Sequence, residues 1–442
     1  MTGPGLSLAW GIPFAGLLLS LALGPIVASR FWHHHYGKIT AAWTAALLVP
    51  AAFAYSTGEL LHDLVHTLLT EYLPFVILLA SLYTVAGGIV VRGTLLGTPK
   101  LNTGLLALGA ALASAMGTTG AAMLLIRPLL RANERRRHRV HVVVFFIILV
   151  GNIGGALTPL GDPPLFIGFL KGVDFFWTTR ALALPTFALA GMLLAIFYAL
   201  DSFLWRREPA SAPPAYEPLA IDGAINLTLL AGILGAVLMS GVWMPGVTFH
   251  VAGTPVELHH AVRDLALVAL MLASLALTPG ALREANRFSW EPMAEVAKLF
   301  AGIFITVVPV IAMLQAGGSG ALAGVVALLS DPVTGTPRYA MYFWLTGALS
   351  AFLDNAPTYL VFFNLAGGDP VELMGPLRTV LTLISAAAVY FGALTYVGNA
   401  PNFMVKAIAE ERGVAMPGFF AYLAYASALL LPLLALILWI AT

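Results

Sequence analysis

Gly155-Ala-Leu-Thr-Pro-Leu-Gly-Asp-Pro-Pro-Leu-Phe166 is the stretch on which the reading of this chain turns. Apolar sequence flanks it on both sides, yet it holds Pro159, Pro163, Pro164, Gly161 and Asp162. Proline inside a helix removes a backbone donor and clashes with the preceding turn, and glycine weakens the helix further. A helix starting near Val140 must therefore open here. The stretch also recurs. Gly392-Ala-Leu-Thr-Tyr-Val-Gly-Asn-Ala-Pro-Asn-Phe403 lies 237 residues on and shares seven of the twelve residues. Ala111-Leu-Ala-Ser-Ala-Met-Gly-Thr-Thr-Gly120 falls over Ala348-Leu-Ser-Ala-Phe-Leu-Asp-Asn-Ala-Pro357 at the same offset. Gly97-Thr-Pro-Lys100 and Gly335-Thr-Pro-Arg338 are offset by 238. One such match between Leu/Ala-rich helices would be weak. Two in fixed register, one of them rich in Gly, Pro and Thr, argue for an internal repeat.

The surrounding composition is that of a membrane domain. Of 442 residues, 60% are hydrophobic and 10% charged; soluble domains carry about 45–50% and about 25%. Eight apolar runs approach the ~20 residues that span hydrocarbon as a helix: 6–29, 40–57, 73–91, 140–157, 181–204, 222–243, 261–278 and 418–441. The first lacks a cleavage pattern and reads as a spanning helix, not a removed signal peptide. Cysteine is absent, which excludes disulfides, thiol catalysis and thiolate metal sites. There is no G-x-x-x-x-G-K-[ST] phosphate loop, so pumping would draw on an ion gradient and not ATP. No cofactor and no nucleic-acid partner is expected.

Lys and Arg gather on the cytoplasmic side of membrane proteins. The loop Arg131–Arg139 holds five arginines. Placing it inside also puts 30–38, 92–100, 205–220, 279–298 and 405–413 inside, with 16 of the 22 Lys+Arg; five (Lys171, Arg180, Arg263, Arg338, Arg378) fall outside. This predicts an inner-membrane protein with both termini periplasmic. It requires 104–130 and 339–366 to be re-entrant hairpins, interrupted at Gly117-Thr-Thr-Gly120 and Asp354-Asn-Ala-Pro357. In that threading the two copies enter from opposite sides. The expectation is an all-α polytopic membrane protein of inverted-topology repeats, each with a re-entrant hairpin and a broken transmembrane helix. The first repeat runs over 40–204 and the second over 222–442, joined by a cytoplasmic, proline-rich linker at 205–221, in one transmembrane domain of 1–442. Paired broken helices point to a transporter's binding site.

Charge within a membrane costs roughly 2.5–3.5 kcal/mol per residue, so acids at these breaks are informative. Asp162 and Asp354 are the two, one from each half. A cap role is the plain alternative for both: Asp162 before Pro163-Pro164, and Asp354 at a hairpin tip. Two buried acids exceed what caps require. Thr118, Thr119, Thr158, Thr395, Asn152, Asn355, Asn399 and Asn402 add neutral oxygens, and an oxygen-rich donor set suits a hard cation. Asp162 and Asp354 are the expected ligands of such a cation. Asp201, Asp222, Asp264 and Glu295 read as helix-end residues at the interface. Glu59, His62, Asp63 and His66 read as one wet face of an outside helix rather than a metal site. His33-His34-His35 reads as a polar turn.

At these residues the chain resembles the ion-transporter superfamily of NhaD-type sodium/proton antiporters, ArsB arsenite exporters, and citrate and dicarboxylate transporters. Asn152-Ile-Gly-Gly-Ala-Leu-Thr-Pro-Leu-Gly-Asp162 is similar to the NhaD-type N-I-G-G-A-x-x-P-I-G-D signature, and Ser350–Pro357 to an S-A-x-L-D-N-x-P element. The resemblance covers roughly 70–412 and implies inverted repeats and a homodimer. Two features depart from the NhaD pattern: Gly117-Thr-Thr-Gly120 has no acid, and Pro163-Pro164-Leu-Phe replaces a threonine-rich run.

Three functions fit the sequence to different degrees. Sodium/proton antiport leads: Na⁺ and H⁺ would be the transported ions, exchanging at Asp162 and Asp354. Second is a carrier of citrate, a dicarboxylate or an oxyanion coupled to Na⁺ or H⁺. No Lys or Arg lies inside the four motifs, and Arg127, Lys171 and Lys406 read as lying away from the breaks. An aspartyl protease fits poorly, since the motif is Pro159-Leu160-Gly161-Asp162 rather than G-x-G-D. The chain is expected not to be an enzyme.

Overall fold

The computed structural model describes residues 5–209, 216–331 and 334–442. The middle of the expected linker, with Pro213 and Pro214, lies outside the described residues. Nearly everything described is helix. In chain order the principal helices are α1 (Ile12–Val27), α2 (Ser29–Ala54), α3 (Thr57–Ala86), α4 (Pro99–Met116), α5 (Thr118–Ala132), α6 (Val140–Leu149), α7 (Pro163–Leu170) and α8 (Phe175–Trp205). The second half holds α9 (Ile225–Val242), α10 (Leu258–Leu277), α11 (Glu291–Gln315), α12 (Tyr339–Leu353), α13 (Asn355–Leu365), α14 (Arg378–Phe391), α15 (Ala400–Glu411) and α16 (Phe419–Ala441). Two antiparallel ribbons add the only strands among the described residues: β1 (Val90–Arg92) on β2 (Ala220–Asp222), with Val91 opposite Ile221, and β3 (Thr248–Val251) on β4 (Thr254–Glu257).

Nine helices among the described residues are long and apolar enough to cross a membrane. Eight match the apolar runs. The ninth is α11, whose start, with Glu291, Glu295 and Lys298, falls in the 279–298 segment read as a loop. The segment 30–38 is likewise helix and not a loop, so the His33-His34-His35 turn is corrected to the first turns of α2. Glu59, His62, Asp63 and His66 lie on the N-terminal turns of α3, which runs on through a π-turn at Leu68–Tyr72 into the membrane span. Phe53, Val242 and Trp439 are 89%, 82% and 77% exposed. Hydrocarbon, not water, is the solvent for such a surface.

Helices α4 and α5 form a closed hairpin. Gly117 turns the chain at φ 80°, a conformation that favours glycine. At the open end, Asn102 Nδ2 donates to Asn133 Oδ1 (2.9 Å) and Asn133 Nδ2 returns to Asn102 Oδ1 (2.8 Å). Asp201 of α8 clamps this base. It accepts from Asn102 Nδ2 at 3.0 Å, from Arg136 Nη2 at 2.5 Å, and pairs with His141 Nε2 at 2.8 Å. Asp201 lies near the end of α8, as read, but is fully buried among protein groups. Removing one partner from such a buried charge cluster is costly, because the remaining charge has no water. In the second half, α12 and α13 pack together with the turn at Asp354, φ 76°.

The helix broken after α6 opens as expected. A 3₁₀ turn at Ile153–Leu157 leads to extended Thr158 and Asp162, and then to α7 with prolines in its first turn. After α14 the same sequence of conformations occurs: a 3₁₀ turn at Gly392–Leu394, extended Thr395 and Asn399, then α15. Two apolar cores flank the breaks. One gathers α4, α5, α6, α8, α14 and α16; the other gathers α1, α3, α11 and α13.

Candidate functional site

Broken helices leave backbone groups unpaired, and at membrane depth these need partners. Side chains supply them. Thr158 Oγ1 donates to the Ser114 carbonyl, and Thr395 Oγ1 to that of Ala351 at 2.5 Å. Those acceptors are themselves 237 residues apart. Thr179 Oγ1 holds the Leu157 carbonyl at 2.6 Å. The Thr118 amide donates to the Gly161 carbonyl at 2.9 Å, which docks the first hairpin tip on the first break. Gly161 has to be glycine: a Cβ there would sit 2.1 Å from the Gly155 carbonyl oxygen.

Asp162 is the centre of the arrangement and is 1% exposed. It occupies the N-cap position of α7, but its carboxylate makes no capping bond. The cap-only alternative is thereby excluded for this residue. Oδ1 instead accepts from Thr118 Oγ1 at 3.2 Å and from Asn399 Nδ2 at 3.0 Å, and Oδ2 accepts from Asn355 Nδ2. The hairpin tip and the break of each half thus each contribute one residue. All three donors are neutral. A buried carboxylate needs paired charge or a proton, so this cluster is chemically suited to taking up a small cation or a proton.

Asn399 also reaches Asn152 Oδ1 at 3.3 Å, and Asn152 Nδ2 donates to Asn402 Oδ1 at 2.8 Å. Asn402 Nδ2 in turn donates to the carbonyls of Gly392 and Thr395, both at 2.8 Å. Asn152 and Asn402 therefore form an amide layer behind Asp162 and fix the orientation of Asn399. Thr158 and Thr395 lock the breaks and do not touch Asp162.

A cavity of about 610 Å³ opens beside the cluster and is lined by Thr118, Thr119, Asp162, Asp354 and Asn399. Its size is that of a small-molecule site and far exceeds what a bare cation fills. Asp354 lies on this wall, and its carboxylate also caps α13 by accepting from the Ala356 amide at 3.3 Å. For Asp354 the cap and a cavity role coexist. Its backbone is in a region almost reserved for glycine, a strain worth about 1–3 kcal/mol that tends to persist at functional sites.

The sequence reading missed one group of residues. Arg127 lies away from the breaks, as read, but lines the cavity that reaches them. Arg287, Glu411, Glu291 and Glu295 line it too, and Arg287 Nη1 pairs with Glu411 Oε2. Each of these sits several turns from a motif, where charge near a helix end reads as ordinary interface placement. The spacing of Gly120, Met123 and Arg127 on one helical face was the available signal.

A family model described as "Putative citrate transport" matches residues 3–442. No curated protein matches the chain. The match covers nearly the whole chain, and nine helices among the described residues are long and apolar enough to cross a membrane; the chain belongs to the family described as "Putative citrate transport", a family of secondary transporters, and is a multi-pass membrane protein.

Proposed function

We propose that the protein carries a small carboxylate anion of the citrate class across the membrane, coupled to Na⁺ or H⁺ bound at Asp162. The observation that carries this reading is the junction of two features in one site. A buried carboxylate held only by neutral donors from both halves faces a cavity large enough for an organic anion. The physical link is charge. An ionised Asp162, with Asp354 on the same wall, repels an approaching polycarboxylate. A bound cation or proton removes that repulsion, so loading of one ligand favours the other, and favourable linkage is reciprocal. The family description agrees with the anion. Alternating access would arise from the two halves rocking about the shared site. The charge bias of the loops supports a cytoplasmic Arg131–Arg139 segment and periplasmic termini in an inner membrane.

Cation/proton antiport is the second reading, favoured by the presence of two acids on one cavity. Proteoliposomes separate the two. Labelled citrate uptake driven by an imposed Na⁺ or pH gradient, and lost in Asp162→Asn, is the expected result. Na⁺-triggered proton movement with no carboxylate present, and no uptake of citrate or a dicarboxylate, would replace the anion reading with the antiport one.

A further inference from the structure

We infer that Arg127 takes a carboxylate group of the transported anion, and so sets the preference for polycarboxylates. The inference rests on the anion reading above and names the residue that recognises the ligand.

Arg127 is an arginine on the cavity wall with no acceptor among the described residues. Its Nη1 is buried without a hydrogen-bond partner, and no ion pair or hydrogen bond satisfies the guanidinium among the described residues. Its neighbours differ. Arg131 donates to the Val91 carbonyl at 2.6 Å. Arg136 holds Asp201, and Arg283 donates to the Thr84 and Ser274 carbonyls. Arg287, on the same cavity, is paired with Glu411. Arg263 also has unpartnered nitrogens, but it pairs with Asp264 and does not line the cavity.

Two plain explanations for an arginine in this part of a helix fail. A fully snorkelled arginine delivers its whole head group to water; Arg127 is only partly exposed and leaves Nη1 buried without an acceptor. An arginine in a helix's last turns can donate to the final carbonyls, but Arg127 makes no such bond among the described residues. An unpaired buried guanidinium is expensive to hold. A ligand carboxylate resolves the cost, because the planar fork matches a carboxylate with two parallel hydrogen bonds.

The position suits a second charge site. Arg127 is nine residues beyond Thr118 on α5, about 13 Å of helix rise. Gly120, Met123 and Arg127 line the cavity between those levels. The anion and the cation at Asp162 therefore occupy different stretches of one cavity. Glu411 on that wall is paired with Arg287, and Arg127 makes no ion pair or hydrogen bond among the described residues.

The test is citrate uptake into proteoliposomes by wild type, Arg127→Lys, Arg127→Gln and Arg287→Gln. Loss of a charge-assisted pair should raise the KM for citrate roughly tenfold to a hundredfold in Arg127→Gln. The maximal rate should change little, and Arg127→Lys should fall between. Preference for citrate over acetate should narrow in step. Wild type gives an independent measurement that does not need a variant to fold. Citrate, and not acetate at equal ionic strength, should protect Arg127 from an arginine-specific dicarbonyl reagent, read by peptide mass spectrometry. Wild-type uptake with an unchanged KM in a folded Arg127→Gln, or Arg127 labelling that citrate does not slow, overturns the inference alone. Absence of any di- or tricarboxylate uptake by wild type overturns the anion reading and this inference with it.

Discussion

The first and second breaks share a backbone and differ in charge. Thr158 and Thr395 are both extended, and Asp162 and Asn399 differ by less than 10° in φ and ψ. Gly117 and Asp354 occupy the same strained turn, with φ of 80° and 76° and ψ of 150° and 142°. Yet the acid changes place. The first half carries it on the break and has glycine at the hairpin tip; the second half carries it at the tip and has asparagine on the break. The repeated backbone builds the site's frame, and the unmatched side chains give it one buried carboxylate with amide donors rather than two facing acids.

The largest effect that tests this comparison is on charge. Asp162→Asn should lower cation-driven uptake at least roughly a hundredfold, about 2.7 kcal/mol. Returning the acid to the matched position, in the double variant Asp162→Asn with Asn399→Asp, should recover part of the rate. A folded double variant as inactive as the single one would show that the two break positions are not interchangeable, and the comparison would fail at that point.

Backbone crowding comes next. Gly161→Ala places a Cβ 2.1 Å from the Gly155 carbonyl oxygen, and Gly398→Ala places one 2.6 Å from the Gly392 carbonyl oxygen. Both should destabilise by at least about 1–3 kcal/mol, as overpacking does, with Gly161→Ala the worse. Thermal melts in detergent give the order; a reversed order would mean that the second break is the tighter one.

Asp354→Gly should separate stability from function. Releasing a strained non-glycine turn should stabilise by about 1–3 kcal/mol, less the lost cap on Ala356, worth about 1 kcal/mol. Coupled uptake should fall at the same time. A variant that is both less stable and fully active would mean that the aspartate is structural only.

Gly117→Asp is the mildest change. The turn there matches that of Asp354, and the nearest atom to a new Cβ is the Leu160 carbonyl oxygen at 3.5 Å. It should fold with a penalty near 1–3 kcal/mol, that of a backbone region almost reserved for glycine, and should alter cation dependence more than stability. Failure to fold would mean that the two tips are alike in dihedral angles but not in surroundings.

Much of the frame could be read from residue order. Proline, glycine and threonine in fixed register mark where helices cannot continue, because backbone chemistry is local. The hairpin tips and both breaks follow from it, and apolar run length gives eight of the nine long helices among the described residues. The start of α11 does not, since Glu291 and Glu295 face a cavity that no local pattern announces. The burial of Asp201 was hidden for the same reason: its partners Asn102, Arg136 and His141 come from three other segments. Among the candidate residues, the difference between Asn399, which touches Asp162, and Asn402, which stands behind it, is one helical turn and is set by packing.

Sequence alone determined that this chain crosses a membrane repeatedly, where its helices break, and that two acids lie at those breaks, since burial of polar backbone in hydrocarbon permits few alternatives. Only the tertiary structure decided that Asp162 meets Thr118, Asn355 and Asn399, and that Arg127 faces the same cavity. Those contacts join residues up to 237 positions apart, and only the packing of one half against the other sets such distances.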